Sequence, residues 1–477
     1  MWCGPGPAGV PSVAGSMAAE ARRPGLDPRE VQILPTFTPD IAADLPGPSW
    51  LTRRRAAAAE AFAGAPLPTE KDEVWRYSRI DQLDLDRFRP AGHVRTGDDP
   101  GPSSSERIHA LVDGLGPRSG LVVTINGVLA TLSATVDDDV VSLGRAADHA
   151  DGDALLGSVL TDPHDFPLLN DAFAVDPVLI DVQPSARPTG PVVIVHVVTG
   201  AAGGAVFPRT VVRAGAGSTA SVVEIVVDAD SGLLADGRDD LLASAGASTE
   251  RLVVPVTELS VGDGAELAYV SVQSLGGGTW QLAHQASTIG AHATLSSYAV
   301  ALGGSYARLR TDSALAGESG ISSLRAAFFG RDDQMLDFRT LQDHRAPRTT
   351  SDLLFMGAVA DRSHSVYSGL IRIRRGAVKS DAVQTNHNLV LDEGAHADSV
   401  PNLDIEENDV KCSHGSTVGP VDEDQRYYLE SRGVEPERAE QLIVAGFFES
   451  IADQVPVPGA RDLVGRSLAA RTGASRD

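Results

Sequence analysis

The sequence predicts a mainly β protein, a β-helix with α-helical regions at both ends, and three observations support this fold class. Short apolar, β-rich runs follow one another after Arg118, and most end within a few residues of a Gly, Asp or Asn. A loose repeat places turn glycines at Gly262, Gly290 and Gly317, at steps of 28 and 27 residues. Helical periodicity is confined to the two ends. Repeats of this length are typical of stacked coils, although they are too loose to exclude a β-sandwich.

The N-terminal part divides at about residue 28. Residues 1–27 are rich in Gly, Pro and Ala and are predicted to be disordered. Residues 28–117 form a predicted N-terminal helical region, which contains the alanine-rich run RRRAAAAEAFAGA and an anchoring aromatic, Trp75. Residues 97–105, GDDPGPSSS, are predicted to be a loop.

Residues 118–421 form the predicted β-helix core. Strands this short cannot stand alone, so each must pair with the coil before and the coil after it. Residues 228–249 interrupt the pattern and are predicted to be a mobile insertion. The predicted strands of the first half are 121–125, 140–143, 191–198, 210–213, 221–227, 252–261 and 267–272.

Residues 422–477 form a predicted C-terminal helical region. One short helix ends at Gly433, and a second has an apolar face with residues three and four apart. Two interpretations stay open, because this face could cap the β-helix or dock a partner protein. The residues that would dock a partner are Leu442, Ile443, Phe447, Phe448 and Ile451.

Charge and cysteine usage exclude several classes of function. The net charge of −24 argues against nucleic-acid binding and against adhesion to an anionic membrane. No run of about 18 apolar residues is present. Two distant cysteines, Cys3 and Cys412, cannot form a disulfide framework, and the first residues do not resemble a signal peptide. We therefore expect a cytoplasmic protein, whose start could be Met1 or Met17.

The segment 376–425 carries most of the candidate chemistry. Cys412 and His414 are two residues apart, so on a strand they face the same side. A thiolate and an imidazole suit iron or zinc, yet spacing alone favours a packed cysteine and a hydrogen-bonded histidine. His387 and His396 are interpreted as solvated or structural.

No motif indicates an enzyme. The glycine-to-lysine spacing in Gly376–Ser380 does not fit a phosphate-binding loop, and no G-x-S-x-G motif exists. The carboxylates at 404–409 could act as an acid/base pair, as in β-helix enzymes that cleave polysaccharides. A solvated acidic loop is favoured, because aromatic residues make up only 5% of the chain.

Several long motifs resemble the SufB/SufD family of iron–sulfur cluster assembly proteins. They are KDEVWRYS, SDLLFMGAVADRSHSVYSGLIRI, QTNHNLVLDEGAHADSVPNLDIEENDVKCSHG and VKCSHGSTVGPVDEDQRYYLESRGV followed by AEQLIVAGFFESI. The strong similarity covers about residues 350–455. The chain resembles the SufD branch, because Asn386 stands where the SufB pattern has an essential cysteine and Gly415 where it has a glutamate.

The resemblance implies a right-handed parallel β-helix and a scaffold that is not an enzyme. It implies pairing with SufB through the β-helix, docking of the ATPase SufC on the C-terminal helices, and a homodimer as another assembly. His414, with Cys412 as a weaker neighbour, would hold iron or a nascent cluster shared with SufB. Complexes of this family also bind reduced flavin, for which no residue here marks a site. A cytosolic polysaccharide-active enzyme and a SufB-like scaffold that holds the cluster alone are the alternatives.

Overall fold

The computed structural model describes residues 35–91, 105–229, 231, 233 and 249–472, together with the backbone of 101–104. The predicted disordered tail 1–27, part of the predicted loop and most of the predicted insertion lie outside the described residues. The helices of the described part are α1 (Pro39–Ala43), α2 (Ser49–Gly64), α3 (Gly101–Gly114), α4 (Gly152–Leu155), α5 (Phe166–Phe173), α6 (Glu423–Ser431), α7 (Pro436–Ala452) and α8 (Pro458–Thr472).

The strands between α2 and α6 form two long sheets. The first sheet contains β1 (Arg89–Pro90), β4 (Val141–Arg145), β5 (Val178–Val182), β7 (Gly204–Val206), β8 (Arg209–Ala214), β10 (Arg251–Val253), β11 (Val256–Val261), β13 (Thr279–Ile289), β15 (Tyr306–Leu315), β17 (Met335–His344), β19 (His364–Ile373) and β21 (His396–Ile405). The second contains β2 (Gly120–Ile125), β3 (Val128–Ala134), β6 (Val192–Val198), β9 (Thr219–Asp228), β12 (Glu266–Ser274), β14 (Thr294–Ala301), β16 (Ile321–Gly330), β18 (Thr350–Val359), β20 (Asp381–Val390) and β22 (Lys411–Gly419).

The order of the strands confirms a parallel β-helix and excludes the sandwich. From β11 onward, consecutive strands alternate between the two sheets, and each pairs in parallel with the strand one coil later. Leu282 of β13, for example, lies in register with Arg308 of β15. Antiparallel pairs occur only where the described β-helix starts, between β2 and β3 and between β4 and β5.

Glycines at the turns allow the coils to approach closely, as the repeat predicted. A Cβ at Gly317 would lie 2.0 Å from the backbone nitrogen of Ala291, and one at Gly262 would lie 2.9 Å from the carbonyl oxygen of Ala214. Both neighbours are backbone atoms of the preceding turn, which cannot move aside. Any larger residue would therefore separate the coils.

The hydrophobic core lies both inside the β-helix and on its outer faces. Inside, apolar residues of both sheets meet, with Phe328 and Phe338 of opposite sheets 4.4 Å apart between ring centroids. Outside, α3, α7 and α8 cover the second sheet, where Phe448 packs on Phe329. The N-terminal helices α1, α2 and α5 cover part of the first sheet.

The predicted elements need three corrections. The predicted strand 252–261 is two strands, β10 and β11, because Pro255 has no backbone N–H for the ladder. Residues 101–105, predicted as part of a loop, begin α3. The apolar helix α5 was not predicted among the strands that surround it. No helix of the described residues is long and apolar enough to span a membrane.

Candidate functional site

The last coil of the β-helix ends in two edge strands. Among the described residues, β22 pairs only with β20, and β21 pairs only with β19. One side of each strand therefore keeps unpaired backbone N–H and C=O groups. Three large apolar side chains are exposed on these strands, Leu403, Ile405 and Val418.

The pairing of β22 with β20 fixes the direction of its side chains. Cys412 lies in register with Ala382, and His414 with Gln384. Paired residues of parallel strands point to the same face of a sheet, and Ala382 and Gln384 are buried on the inner side of the β-helix. The side chains of Cys412 and His414 therefore project on the inner side, at the end where no further coil covers them.

His414 is exposed, and its imidazole has no hydrogen-bond partner among the described residues. The amide of Gln384, in the preceding coil, is fully buried and also lacks a hydrogen-bond partner in the described part of the chain. An imidazole with free ring nitrogens at an accessible edge can bind a metal ion or donate a proton. The hydrogen-bonded histidine that spacing alone favoured is not found.

Cys412 is half-buried and packs on a small apolar cluster that contains Ile371 and Ala382. Burial, with a contribution from the carboxylate of Asp381, raises the pKa of the Cys412 thiol. The thiol therefore stays protonated at neutral pH, and it must lose this proton before it can bind a metal. The structure thus gives Cys412 mainly a packing role within the isolated chain.

Asn386 lies inside the coil that precedes β22. It is fully buried, donates a hydrogen bond to the carbonyl oxygen of Phe355 at 3.3 Å and accepts one from Asn388 at 2.6 Å. This position therefore holds a structural amide rather than a nucleophile. A chain that accepted sulfur at this strand would need a thiol here, so the geometry does not favour the SufB-like scaffold.

The acidic residues of 404–409, at the end of β21 and in the turn before β22, form ion pairs and turn contacts. Asp404 pairs with Arg372 at 2.8 Å, and Glu407 accepts a hydrogen bond from the backbone N–H of Gly376 at 3.1 Å. Hydrogen bonds from the backbone lower the pKa of Glu407. A glycosidase acid needs the opposite shift, so the lowered pKa of Glu407 does not suit the general acid of a polysaccharide-active enzyme.

The predicted partner-binding residues of α7 separate into two groups. Phe448 and Ile451 are buried against the chain's own β-helix, because they lie on the side of α7 that packs on β16 and β18. Ile443 and Phe447 are half-buried, and Leu442 is exposed. The prediction of direct partner contact therefore needs correction for Phe448 and Ile451, whose burial makes them part of a cap.

The other histidines of the segment lie away from His414. His387 is half-buried on the outer side of the second sheet, in register with Met356. His396 belongs to the first sheet and lies beside His364 and Asp398, two residues that sequence reasoning did not single out. His364 and His396 occupy equivalent positions of consecutive coils, which only the structure reveals because the coil length varies along the chain.

Comparison with known proteins identifies the family. A model of the SUF system FeS cluster assembly SufBD core domain matches residues 196–447, more than half of the chain. A SufBD family iron–sulfur cluster assembly protein of Mycobacterium tuberculosis is 36% identical over 213 residues, which are 43% of this chain and 54% of that protein.

Two relatives carry the name iron–sulfur cluster assembly protein SufD. The Escherichia coli protein is 27% identical over 402 residues, 83% of this chain and 88% of that protein. The Bacillus subtilis protein is 30% identical over 209 residues, 43% of this chain and 47% of that protein. The chain therefore spans about half the length of the mycobacterial relative and most of the E. coli protein. The chain belongs to the SufBD family of iron–sulfur cluster assembly proteins.

Proposed function

We propose that this chain is a scaffold subunit, of the SufD type, in the assembly of iron–sulfur clusters, and that it is not itself an enzyme. The observation that carries the proposal is the open last coil, which presents the inward-facing His414 at a strand edge. The similarity to two proteins named SufD supports the same role. The proposal places the chain in the cytoplasm, where a free thiol such as Cys412 stays reduced.

A second β-helix, that of SufB, is the proposed partner at this end. The unpaired backbone groups of β21 and β22 can continue into the strands of another chain, as in other cases of strand addition. The exposed Leu403, Ile405 and Val418 would be buried by such a contact. Removing apolar area from water contributes a free energy of about 25 cal/mol per Å². This contribution adds to that of the strand pairing. A homodimer through the same edges is the competing assembly.

His414 is the proposed ligand for incoming iron or for a nascent cluster at this interface. An imidazole nitrogen binds iron readily, and an interface shared with SufB supplies the thiol that this chain lacks at Asn386. Cys412 is a second candidate once a bound metal displaces its proton. A site for reduced flavin stays a prediction without assigned residues.

The C-terminal helices are the proposed docking surface for the ATPase SufC. Leu442 on α7 is exposed; the half-buried Ile443 follows it directly, and the half-buried Phe447 lies further along the same helix. Phe448 and Ile451 hold the same helix on the β-helix. Movement of a docked ATPase would thus be transmitted through α7 to β16 and β18. SufC would supply the ATP hydrolysis.

Pairing with SufB is tested by placing a charge on the open edge. The variants Ile405→Lys and Val418→Lys should abolish the complex with SufB, measured by size-exclusion chromatography with light scattering, and should leave SufC binding intact. Ile321→Lys is the matched control, because Ile321 is similarly exposed on β16, away from the last coil. An unchanged SufB complex in both edge variants would refute the proposed interface.

Docking of SufC is tested separately. Leu442→Asp should weaken SufC binding at least tenfold without changing the SufB complex. Leu132→Asp is its control, because Leu132 is an exposed leucine of β3, at the other end of the β-helix. Equal affinity for SufC in the two variants would show that Leu442 of α7 is not part of the docking surface.

A further inference from the structure

A cluster of two histidines and one aspartate lies on the first sheet, apart from His414 on the second. His364 and His396 are the first residues of β19 and β21 and lie in register. Their ring centroids are 5.0 Å apart. Asp398 follows two residues after His396, so its side chain projects on the same face.

The three side chains converge on a small volume. The carboxylate of Asp398 lies between the rings, with Oδ2 at 2.8 Å from Nε2 of His364 and Oδ1 at 3.2 Å from Nε2 of His396. One ligand atom from each residue lies within 4.8 Å of the other two. A metal bound to these atoms at about 2.0–2.2 Å would require only small side-chain movements.

The surroundings allow access while fixing the ligands. The side chains of His364 and Asp398 are 24% and 28% exposed, and that of His396 is 65% exposed. The neighbouring outward residue Val366 is buried in the core beneath the N-terminal helices, which places the cluster on the outer face of the β-helix. One side of the cluster therefore packs on the β-helix, and the other side is open to solvent.

We propose that His364, His396 and Asp398 form a binding site for one divalent transition-metal ion on the outer face of the β-helix. Two imidazole nitrogens and one carboxylate oxygen are a ligand set that iron(II), cobalt(II) and zinc(II) accept, with water in the remaining positions. The site differs from His414 in its sheet, its face and its ligands, and it does not require SufB. Its existence is independent of the proposed scaffold function.

The alternative is a carboxylate that only braces two histidines of adjacent coils. In that case the cluster would tie β19 to β21 by hydrogen bonds and would bind no ion. The two cases differ in metal binding by the isolated full-length chain, so no activity assay is needed to separate them.

The experiment is a titration of the purified chain with cobalt(II), followed by visible absorption and by equilibrium dialysis. We expect one bound cobalt(II) per chain at this site, displaced by an excess of zinc(II), which accepts the same ligands. His396→Ala and Asp398→Asn should each lower the affinity at least about tenfold. Because His396 is mostly exposed, its replacement should leave the fold intact, which circular dichroism checks.

Two control variants make the assignment specific. His387→Ala removes a half-buried histidine of β20 and should bind cobalt(II) as the parent chain does. His414→Ala removes the candidate ligand of the open edge and measures how much of the bound cobalt(II) depends on that histidine. The proposal is overturned if His396→Ala and Asp398→Asn retain the parent affinity. It is equally overturned if cobalt(II) binding is lost in His414→Ala and kept in His396→Ala.

Discussion

His414 and Gln384 occupy the same register position on the last two strands of the second sheet, one exposed and the other fully buried. The Gln384 amide has no hydrogen-bond partner among the described residues, and His414 is the next side chain along the same face. This relationship suggests that Gln384 orients the imidazole when a partner covers the last coil.

Replacing Gln384 by Met tests this relationship. The unfolding free energy should stay equal or increase by about 1 kcal/mol, because a buried unpaired amide is lost at nearly constant volume. Cluster formation in a complex with SufB and SufC should nevertheless decrease. Gln342→Met is the control, because Gln342 of β17 is equally buried and unpaired in the described structure. Equal cluster formation in both variants would exclude an orienting role.

A methyl group at Gly317 should destabilise the β-helix. The added Cβ would meet backbone atoms of Ala291 and Gly290 at 2.0 and 2.2 Å, so the unfolding free energy should fall by about 2–3 kcal/mol. Gly446→Ala in α7 is the matched control, since in the described structure nothing beyond its chain neighbours and the adjacent helix backbone lies within 4 Å of the position that its added Cβ would take. It should stabilise the helix by about 0.5–1 kcal/mol. Urea unfolding measures the change in unfolding free energy of both variants. Similar changes in the two variants would contradict the close stacking of coils.

Arg55 joins the N-terminal helices to the β-helix. Its guanidinium is fully buried and donates to the carbonyl oxygens of Pro46 at 2.8 Å, Ala174 at 2.8 Å and Val175 at 2.5 Å, and burial lowers its pKa to about 10. Arg55→Met would leave these oxygens unpaired and should cost about 3 kcal/mol in unfolding free energy. Arg53→Met, on the exposed side of the same helix, should change it by less than about 0.5 kcal/mol. A small effect at Arg55 in chemical unfolding would contradict the anchoring role.

His344 should make the stability depend on pH. Its imidazole is buried inside the β-helix between the hydroxyls of Thr349 and Ser351, at 2.8 and 2.9 Å, and burial lowers its pKa to about 4. Between pH 6.5 and 4 the unfolded chain binds a proton that the folded chain does not, so stability falls as the pH falls through this range. The loss from this residue is on the order of 3 kcal/mol.

The measurement for His344 is the unfolding free energy from about pH 4 to about pH 7. His344→Asn should show a smaller pH dependence in this interval than the parent chain. His292→Asn is the control, because His292 lies exposed in a turn, and it should retain the parent slope. An unchanged slope in His344→Asn would assign the effect to other groups.

Much of the fold could be predicted because its local signals are strong. Apolar runs ending in glycine turns predicted the strands, and steps of 27 and 28 residues predicted coils. Pro255 breaks a run that otherwise looks continuous, and α5 is as apolar as a buried strand, so neither was recognised. The start of α3 contains Gly, Pro and Ser, residues typical of loops that also occur at helix starts.

The candidate site was predictable only in part. The residues around Cys412 and His414 are enough to predict the strand that carries them. The spacing of the two residues is enough to predict that they share a face. The burial of Phe448 could not be predicted, because it depends on how α7 packs against Phe329 of a distant strand. The pairing of His364 with His396 depends on a coil length that varies along the chain, which the sequence pattern does not define.

We propose that His414 acts in cluster assembly at an interface formed by the last coil. The direct measurement is iron–sulfur cluster formation, followed by visible absorption and iron content, in a complex of the His414→Ala chain with SufB and SufC. We expect an intact complex that forms at least tenfold less cluster than the parent complex, whereas the His387→Ala complex forms the parent amount. Normal cluster formation by the intact His414→Ala complex would contradict it.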